Sequence, residues 1–272
     1  MSGNAFHSIS AVERAALQML CYICLSLATQ VGAKAADLTQ TVATIKPSVV
    51  AIATMQKTRS PPIAFFGTGF SVADGLTVLT NAHVVVPRAD AENSGVLGVL
   101  VSNGTSTEFR PASLVAVDKE HDLAVLKIAG APLPALKLGD SGDISEGQSL
   151  AFTGFPLGMA LGLHHATHRA TLAAITPIVQ PAFNVRGLDT KAISQLRQAA
   201  FEVFQLDGTA YPGNSGSPIY DPSTGLVYGI INRVFVKGLK ENAISAPSGI
   251  SYAIPSNYLR TLLARQITGG AP

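Results

Sequence analysis

Three short segments of this chain carry side chains that could do chemistry together. The first is Pro212-Gly-Asn-Ser-Gly-Ser-Pro218, which sets Ser215 among glycines. A serine hydroxyl becomes a useful nucleophile when a base takes its proton and backbone N–H groups face the developing oxyanion. A Gly-x-Ser-Gly turn suits that task, because glycine permits backbone angles and close approaches that a side chain forbids. The second segment, Thr80-Asn-Ala-His-Val-Val-Val86, places His83 between an apolar strand and another apolar run. The third, His121-Asp-Leu-Ala-Val-Leu-Lys-Ile128, puts Asp122 at the mouth of a strand. Bonded to a histidine, such a carboxylate fixes the ring's tautomer and stabilises the imidazolium. Each segment alone also has a plainer reading: a tight turn, a half-buried structural histidine, a turn or capping aspartate.

Short strands must position these groups. Ser48 to Thr54, Gly67 to Val72, Thr77 to Asn81, Gly95 to Val101, Ser113 to Asp118, Leu123 to Ile128 and Ser149 to Gly154 all read as strands. They are rich in β-branched residues and are punctuated by Gly, Asp, Asn and Pro. No β-α-β alternation is visible, so the spacing predicts an all-β sandwich or barrel. Two helices are expected: Asp37 to Lys46, stopped by Pro47, and Thr190 to Phe201, with Asp189 as N-cap. The stretch Leu133 to Ser141 reads as the link between two halves.

Composition narrows the function classes. Only 13% of the 272 residues are charged, against 47% apolar, where a soluble domain usually carries about 25% charge. Polytopic membrane architecture is nonetheless excluded, because Pro and Gly break the long uncharged runs from Gly147 to His168 and from Asn242 to Tyr258. Net charge is +2 with no Lys/Arg-rich run, so no nucleic-acid footprint is present. Arg14, the apolar core Ala15 to Ala28 and the Ala33-Lys-Ala35 ending resemble a secretory signal. Residues 1–35 are therefore expected to be a signal peptide, with an uncleaved inner-membrane anchor as the alternative. Cys21 and Cys24 both lie inside it, so the mature chain would have no disulfide. A periplasmic or secreted location follows, with no stable membrane span after cleavage.

Taken together, His83, Asp122 and Ser215 follow one another in the chain order of the chymotrypsin-type triad. Gaps of 39 and 93 residues separate them, which fits His and Asp in one barrel and Ser in the next. The chain resembles the HtrA/Deg branch of trypsin-like serine proteases from about Asp37 to Leu263. The resemblance rests on Gly67-Thr-Gly-Phe-Ser71, Leu79-Thr-Asn-Ala-His-Val-Val85, Asp122 to Ile128, Gly154-Phe-Pro-Leu-Gly158, Gly213-Asn-Ser-Gly216 and Tyr252-Ala-Ile-Pro-Ser256. It implies two six-stranded antiparallel β-barrels with a few short helices. The first barrel is expected over 36–136 with His83 and Asp122, the second over 137–272 with Ser215. The resemblance also implies no cofactor, and endoproteolysis of unfolded or misfolded polypeptides. Ser215 would be the nucleophile, His83 the general base and then acid, and Asp122 the orienting carboxylate. Gly213 and Ser215 would supply the oxyanion-hole N–H groups, with Asn214 shaping that loop.

The chain also departs from the family pattern. Ser217 stands where the family usually has glycine, and Tyr211 where it has asparagine. Thr209 lies near the base of the primary specificity pocket and brings no acid, so small or medium apolar side chains are the expected preference. The chain stops at Pro272, so no PDZ domain is expected, while a homo-oligomer stays open. His164-His-Ala-Thr-His168 is read as a surface hairpin, since no Cys or carboxylate stands near it to complete a zinc site. The rival to a protease is a catalytically silent binding module or holdase that kept the barrels.

Overall fold

The β-branched run after Pro47 opens the first sheet. A computed structural model describes residues 37–89, 95–102, 106–178, 201–232 and 249–269. Helix α1 (Leu38–Ile45) starts at Asp37, whose side chain accepts from the N–H of Thr39, and ends in a short 3₁₀ turn containing Pro47. Six strands then follow: β1 (Val49–Met55), β2 (Ile63–Val72), β3 (Thr77–Asn81), β4 (Val96–Ser102), β5 (Thr107–Asp118) and β6 (Leu123–Ile128). They close antiparallel in the order β1-β2-β3-β6-β5-β4. A second barrel is built from β7 (Ser149–Gly154), β8 (Ala166–Ile178), β9 (Phe201–Asp207), β10 (Pro218–Tyr220), β11 (Val227–Asn232) and β12 (Ile250–Pro255). It closes in the order β10-β11-β12-β9-β8-β7. The two-barrel architecture is therefore present, and closure leaves neither sheet an edge to aggregate through.

Three apolar cores explain why so little charge is needed. Val50, Ile52, Val78, Val99 and Leu126 fill the first barrel, and Leu150, Phe152, Leu172, Phe204 and Ile231 fill the second. A third core lies between the barrels: Ala51, Phe70, Leu79 and Leu100 meet Phe155, Tyr220, Ile230 and Ile254. Strand β1 shows the consequence, being buried on both faces from Val49 to Thr54. Alternate residues serve alternate cores, as the two-residue period of a strand dictates.

Two helices escaped the sequence reading. Helix α2 (Ala82–Ala89) begins directly after β3 and carries His83 in its first turn. Helix α3 (Ser256–Gly269) follows β12 and buries Leu259 and Leu262 in the core between the barrels. The helix expected from Thr190 lies outside the described residues except for Phe201, which starts β9. Among the described residues no helix is long and apolar enough to cross a membrane.

The expected surface hairpin at His164 to His168 needs correction. His165 and His168 turn inward, and His168 belongs to β8. The Nε2–H of His165 donates to the Val49 carbonyl at 2.9 Å, and its ring lies 4.3 Å from that of Phe155. His168 stacks on Phe152 at 4.9 Å, and its buried Nε2 has no hydrogen-bond partner among the described residues. Flanking aromatic partners, supplied by the fold, made the inward position stable.

Burial holds both rings below the ordinary histidine value of 6.5, with Lys46 and His164 adding repulsion at His165. Above that value the folded and unfolded chains are both neutral at these sites. Below it, the unfolded chain takes up protons that the folded chain refuses, so stability is lost as pH falls. Replacing His168 by Phe keeps the stack and removes the titration. The melting temperature of His168→Phe should exceed that of the wild type by more at pH 5.5 than at pH 7.5.

Candidate active site

The site forms where the ends of β3 and β6 face the loop before β10. Asp122 sits at the start of β6 with φ +54°, a left-handed conformation that costs a non-glycine residue of order 1 kcal/mol. The surroundings hold it there. Its carbonyl accepts from the N–H of Ala82 at 3.0 Å and from Asn81 Nδ2 at 3.2 Å. Its carboxylate accepts from the backbone N–H of His83 at 2.8 Å and from the His83 ring Nδ1–H at 2.6 Å. A carboxylate offers only acceptors there, so Nδ1 carries the ring proton and Nε2 is left with its lone pair. The His83 side chain is 32% exposed and that of Asp122 14%, so the ring reaches solvent while the carboxylate is sheltered.

A third donor to this carboxylate comes from the other barrel. Asn232, buried at the end of β11, donates Nδ2–H to Asp122 Oδ2 at 2.8 Å. The sequence reading missed it. Its signal was a polar residue closing the apolar run Val227 to Ile231, as Asn81 closes β3. The residue before Asp122 is anchored as well. His121 bonds Asp118 through Nδ1 at 2.8 Å and stacks on Tyr258 of α3 at 4.1 Å. Burial pushes the Asp118 carboxyl up, but hydrogen bonds from the His121 ring and N–H, with the charges of His121 and Arg265, bring it below the usual value.

Ser215 lies in the facing loop and is nearly buried, 7% exposed. Its carbonyl accepts from the N–H of Thr68 on β2 at 2.8 Å. A Cβ added at Gly67 would lie 2.9 Å from that carbonyl and 3.0 Å from the Val84 side chain. Glycine is therefore needed where the Ser215 loop and helix α2 converge on β2. Gly216 is equally constrained: at φ +90° its added Cβ would fall 1.8 Å from the Thr68 carbonyl. His83, Asp122 and Ser215 thus come from two barrels to one seam.

The turn ahead of Ser215 fixes its neighbouring N–H groups. Asn214 N–H donates to the Tyr211 carbonyl at 3.0 Å, and Gly213 has φ +98°. Proline followed by a positive-φ glycine is the signature of a type II turn. Among the described residues the N–H groups of Gly213 and Ser215 donate to no protein acceptor. Two donors flanking a tied-back third leave a place for an anionic oxygen. The Asn214 side chain is fully buried behind the loop, its amide without a partner among the described residues. Ser217, also fully buried, presses on Gly154, whose added Cβ would lie 2.0 Å from the Ser217 hydroxyl. Thr209 is half-buried, and both its neighbours are tied to Ser251 of β12. Ala210 N–H donates to the Ser251 hydroxyl at 2.8 Å, which in turn donates to the Gly208 carbonyl at 2.6 Å.

Comparison with known proteins agrees with the two-barrel fold. Residues 67–230 match the family model described as a trypsin-like peptidase domain. A probable periplasmic serine endoprotease, DegP-like, of Halomonas elongata is 32% identical over 189 residues, covering 70% of this chain and 32% of that protein. Human serine protease HTRA4 is 30% identical over 225 residues, covering 81% of this chain and 39% of its own. The chain thus spans well under half the length of these curated relatives. Among solved structures, the Rv3671c protease of M. tuberculosis in its active form superposes with TM-score 0.60 at 21% identity, covering 85% of each chain. An HtrA-type protease, AlgW, with tripeptide gives TM-score 0.60 at 25% identity, covering 86% of this chain and 64% of that one.

Removing the Asn232 amide leaves a sheltered carboxylate short of one donor, a loss of about 1–3 kcal/mol. Asn232→Ala should slow labelling of Ser215 by a fluorophosphonate by roughly 10-fold or more, since each 1.4 kcal/mol is a factor of ten. Timed labelling followed by intact-mass measurement reads this directly, and an unchanged rate would contradict the assigned role of Asn232.

Proposed function

Because this chain belongs to the trypsin-like peptidase domain family, we propose that it is an exported serine endopeptidase of HtrA type. In this reading it cleaves unfolded or misfolded polypeptides through His83, Asp122 and Ser215. The observation that carries the proposal is the pair of unengaged N–H groups on Gly213 and Ser215, across the seam from a histidine already bonded to its carboxylate.

The reaction runs from that geometry. The lone pair on His83 Nε2 accepts the Ser215 proton as Oγ attacks the scissile carbonyl carbon. The carbonyl oxygen becomes an anion and is received by the N–H groups of Gly213 and Ser215. Asp122 keeps the positive ring in register through Nδ1. The ring then returns the proton to the leaving amine, the C–N bond breaks, and an acyl-enzyme ester remains on Ser215. Water, deprotonated by the same histidine, repeats the sequence and frees the acid. Losing one oxyanion donor in such a site costs about 2.7–4 kcal/mol of transition-state stabilisation.

Thr209 supports a preference for small or medium apolar side chains next to the cleaved bond, because it brings no carboxylate to pair with Lys or Arg. The N-terminal Arg14 to Ala35 pattern and the periplasmic description of the Halomonas relative support a periplasmic or secreted location.

Wild-type protein should degrade unfolded casein, and Ser215→Ala should lose about 10⁴-fold or more of that activity, as removal of a triad nucleophile does. Peptide mapping of the casein fragments reads both the rate and the cleavage-site preference. If wild type and Ser215→Ala are equally inert while the wild type still binds unfolded chains, the holdase reading replaces this one.

A further inference from the structure

A type II turn alone does not hold an oxyanion donor in place. Gly213 tolerates φ of either sign. Rotating the Pro212–Gly213 peptide would convert the turn to type I and swing the Gly213 N–H away. Something outside the turn must bias it, and the contacts around it converge on one side chain from the opposite barrel.

The Pro212 carbonyl accepts from the N–H of Leu157 at 2.6 Å, and the Gly213 carbonyl accepts from the Thr68 hydroxyl at 2.7 Å. Leu157 sits at φ +56° and Gly158 at φ +47°, a tight turn with a strained non-glycine residue. Phe65 of β2 lies beneath it. A Cβ built on Gly158 would fall 2.1 Å from Phe65 Cδ1, and one built on Gly213 would fall 3.0 Å from Phe65 Cε1. The same ring meets Phe155 edge-on at 6.3 Å, and the Phe155 carbonyl is the closest atom to the added Gly213 Cβ, at 2.2 Å. Phe65 thus touches both the turn that restrains the Pro212 carbonyl and the glycine whose N–H must face substrate.

We infer that Phe65 is a positioning residue for the oxyanion hole, a wedge from the first barrel that keeps the Gly213 N–H turned toward the substrate carbonyl. The inference rests on the protease reading above. Truncating the ring removes the floor of the Leu157–Gly158 turn, loosens its bond to the Pro212 carbonyl and lets Gly213 rotate. Substrate binding along the cleft would be little affected, whereas stabilisation of the tetrahedral intermediate would suffer.

The test compares Phe65→Ala, Phe65→Leu and Ile63→Ala. Ile63 lies on the same strand and packs on the same core but is not among the nearest atoms to Gly158 or Gly213. For each, kcat and KM on a fluorogenic peptide drawn from the casein cleavage sites are measured, with melting temperature as the control for folding. Phe65→Ala should lower kcat by about 10- to 100-fold, short of the 10²–10³ for outright loss of a donor, with KM within about threefold. Phe65→Leu should recover part of the loss, while Ile63→Ala should lower the melting temperature and leave kcat unchanged. Affinity for a peptide boronate, which forms a tetrahedral adduct on Ser215, should fall in parallel with kcat. If Phe65→Ala unfolds, the leucine variant carries the comparison. Equal kcat for the Phe65 variants and Ile63→Ala at matched stability overturns the wedge. A wild type that neither cleaves casein nor takes a fluorophosphonate overturns the protease reading instead, and the wedge with it.

Discussion

The structure depends on one carboxylate that takes hydrogen bonds from both barrels. Asp122 accepts from the His83 ring and N–H on its own side and from Asn232 on the other. A sheltered carboxylate left without donors costs several kcal/mol, so this cluster ties the relative placement of the barrels to the orientation of the histidine. A sliding motion that broke the Asn232 bond would leave the carboxylate underbonded beside the His83 ring. The seam is reinforced along its length. Thr68 holds Ser215 and Gly213, Ser71 donates to the Pro134 carbonyl at 2.5 Å in the segment joining the barrels, and Asp140 is bonded to Asn257 and Arg260 of α3. The apolar core between the barrels supplies the non-directional attraction. The polar bonds set its register.

Close approach is the second constraint, and it acts mainly through glycine. At Gly216 and Gly154 the added Cβ would overlap atoms of the opposite or adjoining segment by more than an ångström of ordinary contact distance. Gly216 lets backbone lie against backbone and Gly154 makes room for the Ser217 side chain, so that the Ser215 loop is shaped by β2 and β7 rather than by its own sequence. Such packing explains why Ser215 can be nearly buried and still be held in a defined orientation. The tight loop leaves the Asn214 amide and the Ser217 hydroxyl without partners among the described residues. Unpaired buried polar groups cost about 1–3 kcal/mol each, so the site is built at some expense to stability, as functional sites often are.

Much of this was legible from residue types. The strands announced themselves through β-branched runs between Gly, Asp and Pro, because a strand buried on one or both faces needs such residues. His83 and Asp122 stood out because each follows or starts an apolar run and so lies at a strand end, where side chains from several strands can converge, and Ser215 because glycines flank it in a tight turn. What stayed hidden depends on contacts between distant residues. Asn232 resembles any polar residue that ends a strand until the second barrel brings it to Asp122. His165 and His168 look solvent-facing by polarity, yet aromatic neighbours supplied by the fold, Phe155 and Phe152, receive them. Helix α3 has no marked apolar stripe, and only docking of Leu259 and Leu262 reveals which face is inward.

The scarcity of charge now has a structural cause. Charged side chains in a small β protein commonly guard exposed strand edges, and here closure of both sheets removes the edges. Some of the acids and bases that remain are placed at joints: Asp74 of the β2–β3 turn with Lys127 on β6, Asp140 with Arg260 between the linking segment and α3, and the more sheltered Asp118 with His121 beside Asp122. The first two pairs are exposed and contribute little individually, so their value lies in fixing direction where apolar packing cannot. The His83–Asp122 pair is different. Its contact is short, 2.6 Å, its carboxylate is sheltered, and it is anchored from two barrels through Asn232, so it fixes one ring where the barrels meet.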